Sequence, residues 1–268
     1  MSALSPCGEM VRTGDPERFR TALFAPPEAR EGLFALYAFS LEIAKIAPMV
    51  SEPMIGEIRL QWWRDSLDMI FGGGQVRRHE VVEPLCAVVR GADLPRAPFE
   101  TLIDARGNDL EPDFPAELSA LTAYLRDTAG SLTLLAARAL GSAADDIALD
   151  AGQGVGTARY LAAISAMGGK PVPGDIDWST VRAGEGEPVF AAAIHALAAE
   201  GRAAIARARA GRGDVGKAAA SAFLEVPAAD RTLAAIMAGP GTLASLSAQP
   251  SPFRANFSNL WRGATGRW

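Results

Sequence analysis

The sequence predicts an all-α protein, a helical bundle forming a single domain. Three observations carry that prediction. Apolar residues recur with a helical period along most of the chain, no run alternates as a half-buried strand would, and prolines and glycines fall where helices start and stop. The 268 residues are 49% hydrophobic and 21% charged, enough apolar material for one large core.

Taken in order, residues 15–25 form a short helix stopped by Pro26 and Pro27. A long helix covers 27–47. Its stretch "LFALYAFSLEIAKIAP" is apolar almost all round, with Ser40, Glu42 and Lys45 as polar side chains. A helix without a polar face belongs in the middle of a bundle. Ser51 and Pro53 mark the next start, the serine as N-cap and the proline in the first turn, and Gly72-Gly73-Gly74 stops that helix at Phe71. Further helices fit 80–90, 98–110, 115–140 with an interruption at Gly130, 143–166, 188–209, 215–224 and 228–237. The Gly-, Pro- and Asp-rich segment 168–187 is expected to be an ordered loop. One domain spans 1–268, with 1–14 and 239–255 as flexible ends.

Composition narrows the function. A net charge of −5 argues against a nucleic-acid partner. Cys7 and Cys86 lack metal-ligand spacing and suit a reducing compartment, and His79 and His195 are too few for a histidine-built site, so no metal is expected from these residues. The first residues lack the apolar run of a secretory signal, and no apolar run reaches the roughly 18 residues that span a bilayer. The expected location is the cytoplasm, with a peripheral contact at the inner membrane as a further option.

Charges inside apolar stripes point to a site. On a wheel of about 100° per residue, Glu57, Gln61, Arg64, Asp65 and Asp68 share a solvated face that an Arg64–Asp68 pair supports. Ile55, Ile58, Leu60, Trp62, Trp63, Leu67, Met69 and Ile70 cover the rest, and Arg59 falls among them. Arg106 falls in the stripe of Phe99, Leu102, Ile103 and Leu110. A buried guanidinium needs an anionic partner, and Glu42 and Asp104 are the candidates for Arg59. Two readings stay open: structural ion pairs, or a polar central cavity that accepts an anion such as a diphosphate. Tyr37, Glu42, Lys45, Arg59, Trp62, Asp104 and Arg106 are the candidate cavity residues.

The segments "DPERFRTALFAPPEAREGLFALYAFSLEIAKI", "VSEPMIGEIRLQWWRDSLDMIFGG", "LIDARGNDLE", "YLRDTAGSL" and "AGQGVGTARYLAAI" resemble, in that order, the squalene/phytoene synthase family. The "SEPMIGEIRLQWW" block resembles the subgroup of that family that includes a mitochondrial assembly factor for respiratory complex I. The resemblance implies the all-α isoprenoid synthase fold and, for the enzymes, head-to-head joining of two prenyl diphosphates in terpenoid biosynthesis. Two aspartate-rich motifs on facing helices hold Mg²⁺ there, because Mg²⁺ prefers hard carboxylate oxygens. Matched without gaps, Ala44, Lys45 and Pro48 stand at the acidic positions of the first motif, and Ala163 and Met167 at those of the second. A one-residue slip does not restore them, since no aspartate lies between Pro27 and Asp65 or between Gly152 and Gly174.

Other acids have plainer explanations. "DDIALD" at 145–150 sits at a helix start, where carboxylates favour the macrodipole and cap amides. Asp109, Glu111 and Asp113 around Pro112 fit a helix end. The resemblance without the aspartates points to a non-catalytic protein that acts in complex I assembly, with complex I subunits or assembly proteins as partners and no cofactor. The alternatives are an active prenyltransferase using farnesyl or geranylgeranyl diphosphate with Mg²⁺, and an isoprenoid- or lipid-binding protein. The Ala-rich helix 188–209 and the tail "NLWRGATGRW" are the candidate partner surfaces.

Overall fold

The computed structural model describes residues 4–111, 113–115, 117–167, 172–184, 187–246 and 268, and the side chains of 165–167 are outside that description. All regular elements among the described residues are helical. They are α1 (Pro6–Gly14), α2 (Pro16–Ala22), α3 (Arg30–Ala44), α4 (Pro53–Phe71), α5 (Val82–Gly91), α6 (Ala97–Gly107), α7 (Leu118–Leu125), α8 (Ser131–Ala139), α9 (Asp145–Met167), α10 (Trp178–Ala183), α11 (Pro188–Ala210), α12 (Val226–Ala238) and α13 (Leu243–Leu246).

Two helices organise the bundle. Leu33 through Ser40 and Ile43 of α3 are buried, as its missing polar face requires. This helix touches α1, α2, α5, α6 and α8. The other, α9, packs against α7, α8, α11 and α12. Between α7 and α8 the chain makes one π-helical turn, Arg126–Gly130, at the interruption expected at Gly130. That turn lies on α9, so closely that a Cβ on Gly152 would stand 2.4 Å from the Ala129 carbonyl oxygen. A Cβ on Gly154 would meet Ile205 Cγ1 of α11 at 2.3 Å. The "GQGVG" glycines therefore let α9 approach a neighbour on both sides.

Several expectations are corrected. Residues 1–14 were expected to be flexible, but α1 forms and packs on α3 through Cys7, Gly8 and Val11, with Ser5 capping its first turn. Residue 52, not Ser51, is the N-cap of α4. The loop expected over 168–187 contains α10, started by the Asp177 carboxylate on the Ser179 and Thr180 amides. Residues 217–223 form a 3₁₀ stretch and not an α-helix. Of the tail expected to be flexible, α13 buries Leu246, and residues 247–255 lie outside the described residues. Among the described residues one helix, α11, is long and apolar enough to cross a membrane, with a mean hydropathy of 1.4 over 18 residues, against the sequence expectation. It lies along α9 and α12 with Phe190, Ile194, Leu197 and Ile205 buried, while 39% of its apolar window is buried in all.

The α9–α11 contact yields a prediction. Gly154→Val should lower stability by about 1–3 kcal/mol, the range for overpacking a filled core, seen as a lower urea midpoint with an unchanged slope. Val88 is half-buried beside Gly32, and Val88→Ala should shift the midpoint much less.

Candidate functional site

A cavity of about 730 Å³ opens between α3 and α9 and their neighbours. Its polar wall carries Arg18, Arg106, Asn108, Asp109, Glu111, Tyr124, Arg159 and Tyr160. Its apolar wall includes Ala47, Pro48, Phe114, Pro115, Leu125, Leu132 and Ala163.

At one end an ion cluster joins distant segments. Arg159 of α9 grips Asp15 with both terminal nitrogens, at 2.7 and 3.0 Å, and donates through Nε to Glu225 at 2.8 Å. Arg18 donates to the same Asp15 carboxylate at 3.0 Å and lies 3.8 Å from Glu225. Asp15 also caps α2, accepting from the Arg18 amide. Burial alone would raise the pKa of Asp15, but Arg159 and Arg18 outweigh it and hold the carboxyl far below its ordinary value. Arg18 stands over the ring of Tyr37, 5.6 Å from its centroid, and burial raises the Tyr37 phenol well above its ordinary value.

A second polar group forms the opposite wall. The Tyr124 hydroxyl donates to Asp109 at 2.7 Å, and Arg106 donates to Asp109 at 3.0 Å and to the Tyr124 oxygen at 2.5 Å. The Nε of Arg106 is buried without a hydrogen-bond partner. A buried donor left unmade is unfavourable by about 1–3 kcal/mol, so a ligand acceptor placed there would gain from pairing it.

The sequence-predicted residues separate into two places. Arg106 lines the cavity, as do Pro48 and Ala163 from the two motif positions. Tyr37 is buried beneath Arg18, and Ala44 is half-buried at the end of α3. Glu42 and Lys45, which pair with each other, line a separate groove of about 220 Å³ together with Ile46, Arg59, Trp62, Trp63 and His79. The Met167 side chain lies outside the described residues. Arg59 is exposed, contrary to the expectation that it is buried, because α4 packs through Gly56, Leu60, Trp63 and Leu67 and leaves Ile55 and Ile58 in solvent. Asp104 is exposed and binds Arg64 at 2.8 Å, not Arg59. The expected Arg64–Asp68 pair is likewise replaced, Asp68 accepting from Arg96 at 2.6 Å.

Two of the three acids of 145–150 are held by arginines: Asp145 by Arg138 at 2.6 Å, and Asp150 by Arg126 at 2.5 Å and Arg207 at 3.1 Å. Asp109, expected as a plain helix end, belongs to the cavity wall. Arg18, Tyr124, Arg159 and Tyr160 were not anticipated. For Arg159 the signal was present, an arginine inside the apolar run "ARYLAAI", the same pattern that identified Arg106.

The Mg²⁺ site that the resemblance implies does not fit these residues. Asp109 and Glu111 are the acids of the cavity lining, and Asp109 is engaged by Arg106 and Tyr124. Among the described residues no group of three or more His, Cys, Asp or Glu is placed to hold an ion. What the cavity can do is enclose an apolar body and present guanidinium groups to a polar or anionic end.

Comparison with known proteins gives a consistent picture. A family model described as squalene/phytoene synthase matches residues 11–165. A protein of Bos taurus named "NADH dehydrogenase (ubiquinone) complex I, assembly factor 6" is 33% identical over 135 residues, which are 50% of this chain and 40% of that protein. Its Homo sapiens counterpart is 30% identical over the same shares. The chain thus spans less than half the length of these relatives. In three dimensions it is similar to a squalene synthase from Alicyclobacillus acidocaldarius, with a TM-score of 0.73 at 19% identity over 86% of this chain and 91% of the other. A dehydrosqualene synthase solved with a ligand gives 0.74 at 15% identity over 97% and 94%. At such identities the likeness is one of fold.

The ion cluster sets a pH dependence. Asp15 has a folded pKa below its unfolded value of about 3.9, so its contribution is complete above that value and is lost as pH falls below it. Asp15→Asn keeps an N-cap residue and removes the charge. It should lower stability at pH 7 by about 1–3 kcal/mol, because Arg159 is left with one partner and is still a third accessible. Urea midpoints of the two proteins should differ at pH 7 and begin to draw together only as pH falls below about 4, and a gap of the same size at pH 7 and at about pH 2 would contradict the assignment.

Proposed function

The chain belongs to the squalene/phytoene synthase family, and from that premise we propose that it is a non-catalytic member acting through protein contacts in the assembly of respiratory complex I. The observation that carries this reading is the chemistry of the cavity. Where metal-dependent loss of diphosphate needs carboxylates converging from facing helices, Pro48 and Ala163 face the space and Lys45 faces away into another groove. Supporting it, the curated relatives at 33% and 30% identity carry the name of a complex I assembly factor. The partners on this reading are complex I subunits or other assembly proteins, and the place of action is the cytoplasmic face of the membrane that holds the complex. The candidate partner surface on α11 is the exposed row Ala192, Ala196, Ala199, Ala203 and Ala206, while the tail that ends at Trp268 lies outside the described residues up to 267.

A second reading is favoured by one observation. The 730 Å³ space, with an apolar wall and the unpartnered Nε of Arg106, suits an amphiphile with an acceptor at its head. An isoprenoid or lipid ligand bound without turnover is compatible with the assembly role and would use the same cavity.

The assembly role is tested in the organism of origin. A strain lacking the protein should contain less fully assembled complex I on native gels and show lower NADH oxidation through it, both restored by the wild-type gene. Unchanged complex I in that strain would contradict the proposal.

A further inference from the structure

Among the described residues, large apolar side chains are exposed at Leu4, Leu23, Met49, Met54, Ile55, Ile58, Val189 and Met237. Half of these fall within ten residues, 49–58, and include the two most exposed, Met54 at 74% and Ile58 at 64%. A cluster of this kind on an otherwise polar surface marks an interaction site. We infer that the start of α4 docks on a lipid bilayer carrying anionic headgroups.

The charges beside the patch point to that occupant. On α4, Met54, Ile58, Ile55 and Arg59 follow one another around the helix at about 100° per residue, so the guanidinium of Arg59 borders the apolar residues. Arg59 is exposed and has no hydrogen bond or ion pair within the described chain. It lines the 220 Å³ groove with Lys45, Trp62 and His79. Of the acids nearby, Glu42 is bonded to Lys45, and exposed Glu57, 3.7 Å from Arg64, shares that arginine with Asp104. Glu52, exposed just before the helix, is the remaining acid of the stretch. A free cation beside protruding methionine and isoleucine side chains, with a half-buried Trp62 behind them, matches the interfacial pattern of apolar insertion, headgroup pairing and an aromatic at the boundary.

The shape also favours a bilayer over a protein. Met54, Ile55 and Ile58 stand exposed on the first turns of α4 and are not among the residues lining the groove beside them. The groove beside them is smaller than the roughly 300–1,000 Å³ of sites that enclose a whole ligand, though a phosphate headgroup fits. This inference deepens the membrane location proposed above, and it fails separately from the assembly role, because vesicle binding needs no complex I.

Sedimentation of the full chain with vesicles tests it. The protein should pellet with vesicles of equal parts phosphatidylcholine and phosphatidylglycerol, less with phosphatidylcholine alone, and less as salt is raised. Arg59→Glu should weaken binding roughly fivefold or more, and Met54→Ser/Ile58→Ser roughly tenfold or more. Val189→Ser/Met237→Ser, at exposed apolar positions elsewhere, should leave it unchanged. All three variants alter exposed side chains, and unchanged thermal melts would show that each remains folded. Equal pelleting with both vesicle types, or wild-type binding by the Met54/Ile58 variant, would overturn the inference. So would failure of the wild-type protein to bind vesicles while the patch variants lose a protein partner, which would assign the surface to that partner.

Discussion

The salt cluster of Arg159 and Arg18 with Asp15 and Glu225 holds together parts of the chain that are far apart in sequence. Asp15 ends α1 and caps α2, Arg159 lies 144 residues further on in α9, and Glu225 immediately precedes α12. Partly buried charges are best held in pairs, and Arg159 thereby ties the junction of α1 and α2 and the start of α12 to α9. The same two arginines form one end of the cavity. The cavity thus takes two of its arginines from a contact that ties helices together, and a third from the Arg106–Asp109–Tyr124 group.

That arrangement bears on function. A space walled by guanidinium groups already paired with carboxylates offers hydrogen-bond donors to a polar end but offers a divalent cation little, since hard cations need several oxygen ligands. The family is that of the squalene/phytoene synthases and the fold is shared with squalene synthases, while the groups facing the space are suited to holding a polar end. The assembly reading and the ligand-binding reading both follow from this difference, and the membrane-docking surface lies on α4 next to a separate groove.

Much of this was legible in the sequence, for identifiable reasons. The burial of α3 followed from its lack of a polar face, and the break at Gly130 from the glycine. Arg106 was found because an arginine in a well-defined apolar stripe has few explanations. The same logic failed for Arg59, since a helical wheel treats every apolar residue as core. The first half of α4 meets the rest of the protein chiefly where Leu110 seats against Gly56, and a Cβ there would stand 2.4 Å from Leu110 Cδ2. Ile55 and Ile58 are therefore left outside, and Arg59 with them. The helix α1 was missed because "PCGEMVRTG" is short and glycine-flanked, and docking on α3 stabilises it more than its own propensity does. Asp109 does lie at a helix end, as expected, but its place in the cavity wall was missed because its partner Tyr124 is 15 residues away, a separation that no local pattern reveals.

The central claim is that the cavity persists without the metal-dependent chemistry of the fold. Incubating the purified protein with farnesyl or geranylgeranyl diphosphate, with and without Mg²⁺, and measuring released diphosphate together with bound substrate tests it most directly. The account predicts no diphosphate release above the protein-free control in either condition; substrate that binds without turning over, more weakly in Arg106→Ala, would identify the ligand-binding reading. Mg²⁺-dependent release with formation of a coupled hydrocarbon would contradict the claim and make the protein an enzyme of its family.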